Sequence, residues 1–330
     1  MIAAPIAYPT ESDPYYTVEG VRLLRVTKAL ECIPRHHLFA WSAKMAAQRA
    51  VELYTKLQAG DIDQATFDEL FVTERIMKAP FEYRDYKGDI GTVAHQAAYE
   101  WALGTRVAEL DMDDYILSLI ATEERRALSR GEEFSAQLDD VRPYLLSAIA
   151  FCELTQPEFQ AIGLETIGVN ITENYAGRGD AFGCCFSAKN QNREDPTGRE
   201  VLDMIRQLGD GKTITVTGDW KCANTQSDEW RYQLAAYQNF ENLVLADGSF
   251  HDVPQGQANC VFWVRPLGAT LESGAPDRTR VLVQPSTERE FETFLAARDL
   301  YELHNNPTAR LRLSRAKIKA KPTDVRDCPF

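Results

Sequence analysis

The run KTITVTGDWK places Asp219 and Lys221 two residues apart. Thr213, Thr215, Thr217, Asp219 and Lys221 alternate with Ile214, Val216, Gly218 and Trp220, which reads as a strand with the carboxylate and the ammonium on one face. Asp180 follows a glycine turn in AGRGD, and Glu165 lies just upstream in QAIGLETIGVN. Three acids and a lysine at the ends of neighbouring strands can converge on one point. Carboxylates so arranged bind Mg²⁺ or Mn²⁺, hard ions that take oxygen ligands. A lysine beside them stabilises charge on a transferring phosphoryl group or orients an attacking water. The set suits phosphodiester hydrolysis. Gln233 and Tyr237, four apart in EWRYQLAAYQNF, share a helix face. His95, four after Gly91 in GTVAHQAAYEW, offers a nitrogen ligand or a contact to phosphate. Each feature has an ordinary reading as well: a solvated strand face, a plain turn, a hydrogen-bonded helix histidine, two residues packing a helix on a sheet. The combination and its order carry the weight.

The elements that must position these residues fall into two halves. Residues 25–57 read as two helices broken near Pro34, followed by helices over 61–71, 89–107, 113–127 and 134–152. Past Pro157 the pattern changes. Residues 160–170 and 175–187 read as strands joined by a turn, 199–208 as a short helix, 229–244 as a helix, and 260–265 and 278–284 as strands. A last helix over 287–303 opens with Thr287 and Glu290 as a capping box. The expected fold class is α/β: a mixed central β-sheet flanked by helices and preceded by a largely helical N-terminal region. Residues 1–155 form that region and contribute the Gly91/His95 helix, 156–305 the α/β core, and 306–330 a basic tail.

Composition limits the function classes. The chain has 330 residues, and 36 basic against 49 acidic residues give a net charge of −13, which argues against a non-specific nucleic-acid coat but allows one local basic track. No apolar stretch suits a membrane span and no leader is evident, so the expectation is a cytoplasmic protein without a membrane partner. Seven scattered cysteines read as reduced thiols. Residues 109–140 hold ten acids and three arginines, a stretch expected to face away from an anionic substrate or to mask the site. In the tail, Arg310, Arg312, Arg315, Lys317, Lys319 and Lys321 suit either a charged edge strand or a DNA backbone.

In the order Gly91/His95, Glu165, Asp180, Asp219/Lys221 and Gln233/Tyr237, the chain resembles the PD-(D/E)XK nucleases of the RecB-like branch, which includes CRISPR-associated exonucleases and phage relatives. The motifs run from Gly91 to Tyr237, and the opening RVTKALECIPRHHLFAW is similar to the lead-in of phage members. The resemblance implies a restriction-endonuclease-like sheet and a metal-dependent DNA exonuclease. It implies that His95, Asp180, Asp219 and the carbonyl of Trp220 bind Mg²⁺ or Mn²⁺, and that Lys221 positions the water. Glu165 would support the site, and Gln233 and Tyr237 would touch substrate or the catalytic strand. DNA is the implied partner, with a recombinase, single-strand-binding protein or helicase as candidate protein partners in the host cytoplasm of a phage. The chain departs from the pattern at Gly179, where the family has proline, and at Cys222, where it usually has a hydroxyl residue. Some members carry a four-cysteine iron–sulfur cluster. No C-x-x-C occurs here, so small buried thiols are the favoured reading. The alternatives are a non-catalytic DNA-binding scaffold, a structure-specific endonuclease, and a phosphoesterase acting on nucleotides.

Overall fold

The computed structural model describes residues 13–33, 36–71, 74–105, 111–223, 225–268, 278–284 and 288–305. The basic tail, Cys328 and the Thr287 cap lie outside them. Within them the chain is α/β, a mixed sheet flanked by helices after a largely helical N-terminal region.

The helices of the first half are α1 (Val26–Leu30), α2 (His36–Ala59), α3 (Gln64–Phe71), α4 (Glu74–Ala102), α5 (Met112–Arg130) and α6 (Leu138–Thr155). Before them stands a hairpin that the sequence reading passed over, β1 (Tyr15–Val18) and β2 (Val21–Arg25). Glu19 and Gly20 both hold positive φ, +50° and +80°, the geometry of a tight two-residue turn. The helix expected over 89–107 begins earlier, running through Pro80, and closes on Gly104 at φ +64°.

The second half supplies β3 (Leu164–Asn170), β4 (Tyr175–Ser187), α7 (Pro196–Leu208), β5 (Thr213–Cys222), α8 (Glu229–Gln238), β6 (Asn242–Val244), β7 (Phe250–Asp252), β8 (Ala258–Val264), β9 (Arg280–Gln284) and α9 (Glu288–Asn305). The sheet order is β7-β6-β3-β4-β5-β8-β9, with β2 alongside β4. The β2–β4 and β5–β8 pairs are parallel and the others antiparallel. The helix expected over 229–244 is a correction: it stops at Gln238, and Asn242–Val244 is a strand on β3. Phe240, Leu243 and Val244 continue an apolar pattern that local sequence cannot divide between helix and strand. The free edge of β3 decides it, because Glu241 N–H donates to Val169 O at 2.8 Å.

One core fills the space between the sheet and α4, α6 and α7: Ile214, Val216, Trp220, Phe186 and Phe262 pack against Ile90, Val93, Phe151 and Ile205. A second lies on the opposite face, where Tyr175, Phe182 and Val261 meet Trp230, Leu234 and Tyr237 of α8 and Phe294 of α9. The first core spans residues on both sides of position 155, so helical region and sheet stabilise one another. Cys152, Cys184 and Cys260 are fully buried in it. No helix among the described residues is long and apolar enough to cross a membrane.

β4 carries a bulge. Ala181 pairs with Gly218 but Cys184 with Val216, so one extra residue enters β4, with Gly183 at φ +74°. At Gly179 a Cβ would lie 2.3 Å from Phe182 Cζ. The phenylalanine ring therefore fills the space that a proline at 179 would need. Gly179→Ala should cost about 1–3 kcal/mol by overpacking. Urea denaturation of that variant, of Phe182→Leu and of the double should show the double less damaged than the sum. Strict additivity would contradict the packing described.

Candidate active site

Backbone pairing sets three acids abreast. Leu164 pairs with Ala181 and Thr166 with Gly179, which puts Glu165 opposite Asp180. Ala181 pairs with Gly218, which puts Asp180 opposite Asp219 on the next strand. Glu165 holds φ +50°, a left-handed conformation that costs a side-chain-bearing residue roughly 1–3 kcal/mol and re-aims its carboxylate out of the regular pleat.

Asp180 Oδ2 accepts from the backbone N–H of Trp220 at 2.7 Å and lies 3.5 Å from His95 Nδ1. Glu165 Oε2 pairs with Arg178 Nε at 2.7 Å. Asp219, with a side chain 2% exposed, pairs with Lys221 Nζ at 2.5 Å. Gln233 Nε2 donates to Tyr237 Oη at 2.7 Å and approaches Asp219 Oδ1 at 3.5 Å, and Tyr237 Oη donates to Arg178 O at 2.8 Å. One helix, α8, thus ties the β5 acid to the β4 backbone.

His95, Glu165 and Asp180 each present one ligand atom within 4.8 Å of the others, and all three are half-buried. One imidazole nitrogen and two carboxylate oxygens form a donor set that fits a divalent cation. The converging trio differs from the set implied by the resemblance: Glu165 joins it, while Asp219 is held by Lys221 and Gln233. The Trp220 backbone serves the site through its N–H to Asp180 and a further hydrogen bond with His95.

Burial dominates the electrostatics. It pushes the Glu165 carboxyl up to about 7, with the charge of Asp180 adding to the effect and Arg178 opposing it. Burial raises Asp180 and lifts Asp219 to about 6 against the pull of Lys221. His95 is held down to about 4 by burial and by the Lys221 charge. Burial disfavours the Lys221 cation, but attraction to Asp219 and Asp180 outweighs it and keeps the ammonium protonated. The Cys222 thiol is pushed up to about 12 by burial, so it stays neutral.

A cavity of about 550 Å³ opens over this trio, walled by α4 and by Glu123, Arg126 and Arg130 of α5. The acid-rich stretch therefore does not simply face away; it brings two of its arginines and a buried glutamate to the site. A second cavity of about 370 Å³ shares Thr92 and His95 with the first and adds Arg84, Lys87, Trp220 and Lys221.

The chain matches no protein-family model and no curated protein.

Sequence reasoning missed Arg178, although its two-residue spacing from Asp180 on a strand was a usable signal. It missed Arg84, Lys87 and Thr92, which share helical spacing with His95. The α5 residues carried no local signal, because only tertiary packing brings α5 over β3 and β4.

Between pH 4.5 and 7 the folded protein keeps a proton on Glu165 that the unfolded chain has lost, so stability from this group falls as pH rises through that window. His95 acts oppositely: its neutral folded form is favoured as pH rises from 4 to 6.5. Glu165→Gln isolates the first effect. In EDTA, the stability of Glu165→Gln relative to wild type should rise from pH 5 to pH 8, by roughly 3 kcal/mol at most. Urea midpoints at the two pH values measure it, and a constant difference would refute the assignment.

Proposed function

We propose that the protein is a divalent-metal-dependent deoxyribonuclease of the PD-(D/E)XK type, with exonuclease action favoured by the family resemblance. One observation carries the reading: Glu165, Asp180 and Asp219 lie abreast on three adjacent strands, with Lys221 paired to Asp219 and His95 reaching Asp180. A scaffold protein would gain stability by replacing these desolvated acids with apolar residues. Retention of several groups with strongly perturbed acidity in one cleft favours catalysis.

His95, Glu165 and Asp180 would hold Mg²⁺ or Mn²⁺, which when bound polarises a phosphodiester and acidifies a water. The remaining tasks fall to the chain. Lys221 carries a permanent positive charge at the rim of the acids, where it orients the attacking water or offsets charge growing on the phosphate. Asp219 holds that ammonium in place. Gln233 and Tyr237 fix Asp219 relative to β4. Arg178, drawn to Glu165 in this structure, has further N–H donors to offer a phosphate oxygen. Attack in line releases the 3′ oxygen. DNA is the substrate proposed, in a cytoplasm, with a recombinase, single-strand-binding protein or helicase as candidate partners.

The test is cleavage of end-labelled linear DNA and of closed circular DNA with Mg²⁺, with Mn²⁺ and with EDTA. Metal-dependent loss of the linear form alone is expected, and Asp180→Ala, which removes a carboxylate of the converging trio, should abolish it. Cutting of the circle would make the enzyme an endonuclease on the same chemistry. Release of product from a mononucleotide but not from DNA would replace the reading with a nucleotide phosphoesterase. Lys221→Ala should lower the rate about 10²–10³-fold with the metal-binding isotherm retained; a lost isotherm would contradict its role.

A further inference from the structure

The two cavities meet at His95 and are lined by one face of α4. Its contributions fall at positions 84, 87, 88, 91, 92, 95, 96 and 99, intervals of one, three and four that keep to a single stripe. From 84 to 99 that stripe runs about 22 Å. His95 stands along it with Glu165 and Asp180 beside it in the first cavity and Lys221 in the second.

Charge along the stripe contrasts with the chain as a whole. Among the described residues, six cationic side chains line the two cavities against three acids, while the whole chain has 36 basic residues to 49 acidic ones. At one end stand Lys87 and Arg84, whose Nε and one terminal nitrogen donate to Asp85 Oδ1 at 2.8 and 2.6 Å and whose other terminal nitrogen is left to a phosphate. The ammonium of Lys87 rests against the rings of Tyr144, Tyr86 and Tyr83 at 5.2, 5.6 and 5.7 Å, so aromatic faces hold it at the cavity edge. At the other end stand Arg178, bound to Glu165, and Arg126, bound to Glu123. Each guanidinium retains donors beyond those its carboxylate uses. Between the ends the helix surface is low: a Cβ at Gly88 would have nothing within 4 Å. Tyr99 supplies an aromatic ring in the first cavity.

We propose that this face of α4 is the floor of a trough carrying a single nucleic-acid strand across the site, with Arg84 and Lys87 gripping phosphates on one side of the scissile bond and Arg126 and Arg178 on the other. The inference rests on the nuclease reading and sharpens its substrate to a strand that continues in both directions. A mononucleotide would leave one set of cations without a phosphate. A positive groove with an aromatic platform is the arrangement that tracks a single strand.

The experiment is fluorescence anisotropy of a dye-labelled single-stranded oligonucleotide with the full chain in EDTA, over a series of salt concentrations. Wild type should bind. The Arg84→Gln/Lys87→Gln double should bind about fivefold more weakly, with the slope of log affinity against log salt reduced by about 1.4, two contacts at 0.7 each. Gly88→Leu fills the floor and should weaken binding by about fivefold. Its Tm should not fall, because leucine is a better helix former than glycine. Arg206→Gln, on the exposed face of α7, should bind as wild type does. Unchanged affinity and slope in the double, or unchanged affinity in a folded Gly88→Leu, would overturn the trough, as would wild type failing to bind. Equal binding of the matching duplex with the same sensitivity to the variants would overturn the single-strand assignment. Strand binding of the expected pattern without cleavage in Mg²⁺ or Mn²⁺ would remove the nuclease reading and leave the trough standing. Cleavage by wild type with both variants binding normally would do the reverse.

Discussion

Antiparallel pairing of β3, β4 and β5 holds Glu165, Asp180 and Asp219 side by side, where each has lost most of its water. Burial penalises each charged form, and neighbouring like charges repel. The surroundings answer this cost group by group: Lys221 on Asp219, Arg178 on Glu165, the Trp220 N–H on Asp180. The left-handed backbone at Glu165 adds strain at the same place. Such an arrangement persists only because rigid strands and two apolar cores hold it, and a divalent cation would relieve the repulsion that the protein leaves in place.

α4 links the core to the site. Its stripe of Ile90, Val93, Ala94, Ala97 and Ala98 is buried against α6 and the sheet. That packing fixes the rotation of the helix, so the adjoining stripe with Thr92 and His95 has one direction available. On the other side of the sheet, α8 buries Trp230, Leu234 and Tyr237 and through Gln233 and Tyr237 reaches the acids. Two helices on opposite faces thus hold one cluster, and the apolar contacts that stabilise the fold also set its geometry.

An acidic chain with a basic lining at its cleft has a local field opposite in sign to its overall charge. Screening confines the distant negative charge to within about 10 Å at ordinary ionic strength. The potential near the acids is then set by Lys221, Arg178 and their neighbours, which favours an anionic substrate despite the net −13.

Period-two alternation made β5 legible from the sequence, and with it the common face of Asp219 and Lys221. Glycine punctuation and apolar runs marked β4 at its observed bounds, and helical spacing marked α8 and the His95 helix. These features are local: they follow from side-chain direction within one element. The strand at Asn242–Val244, the hairpin before Val26 and the closure of α5 over the site were not legible, because each depends on hydrogen bonds or packing to a distant partner. The division of labour among the acids belongs to the same class. The sequence supplied their order and their chemistry, but the pairing register and the positive φ of Glu165 decided that Glu165 converges with His95 and Asp180 while Asp219 turns to Lys221. Register is a property of strand pairs, and no single strand encodes it.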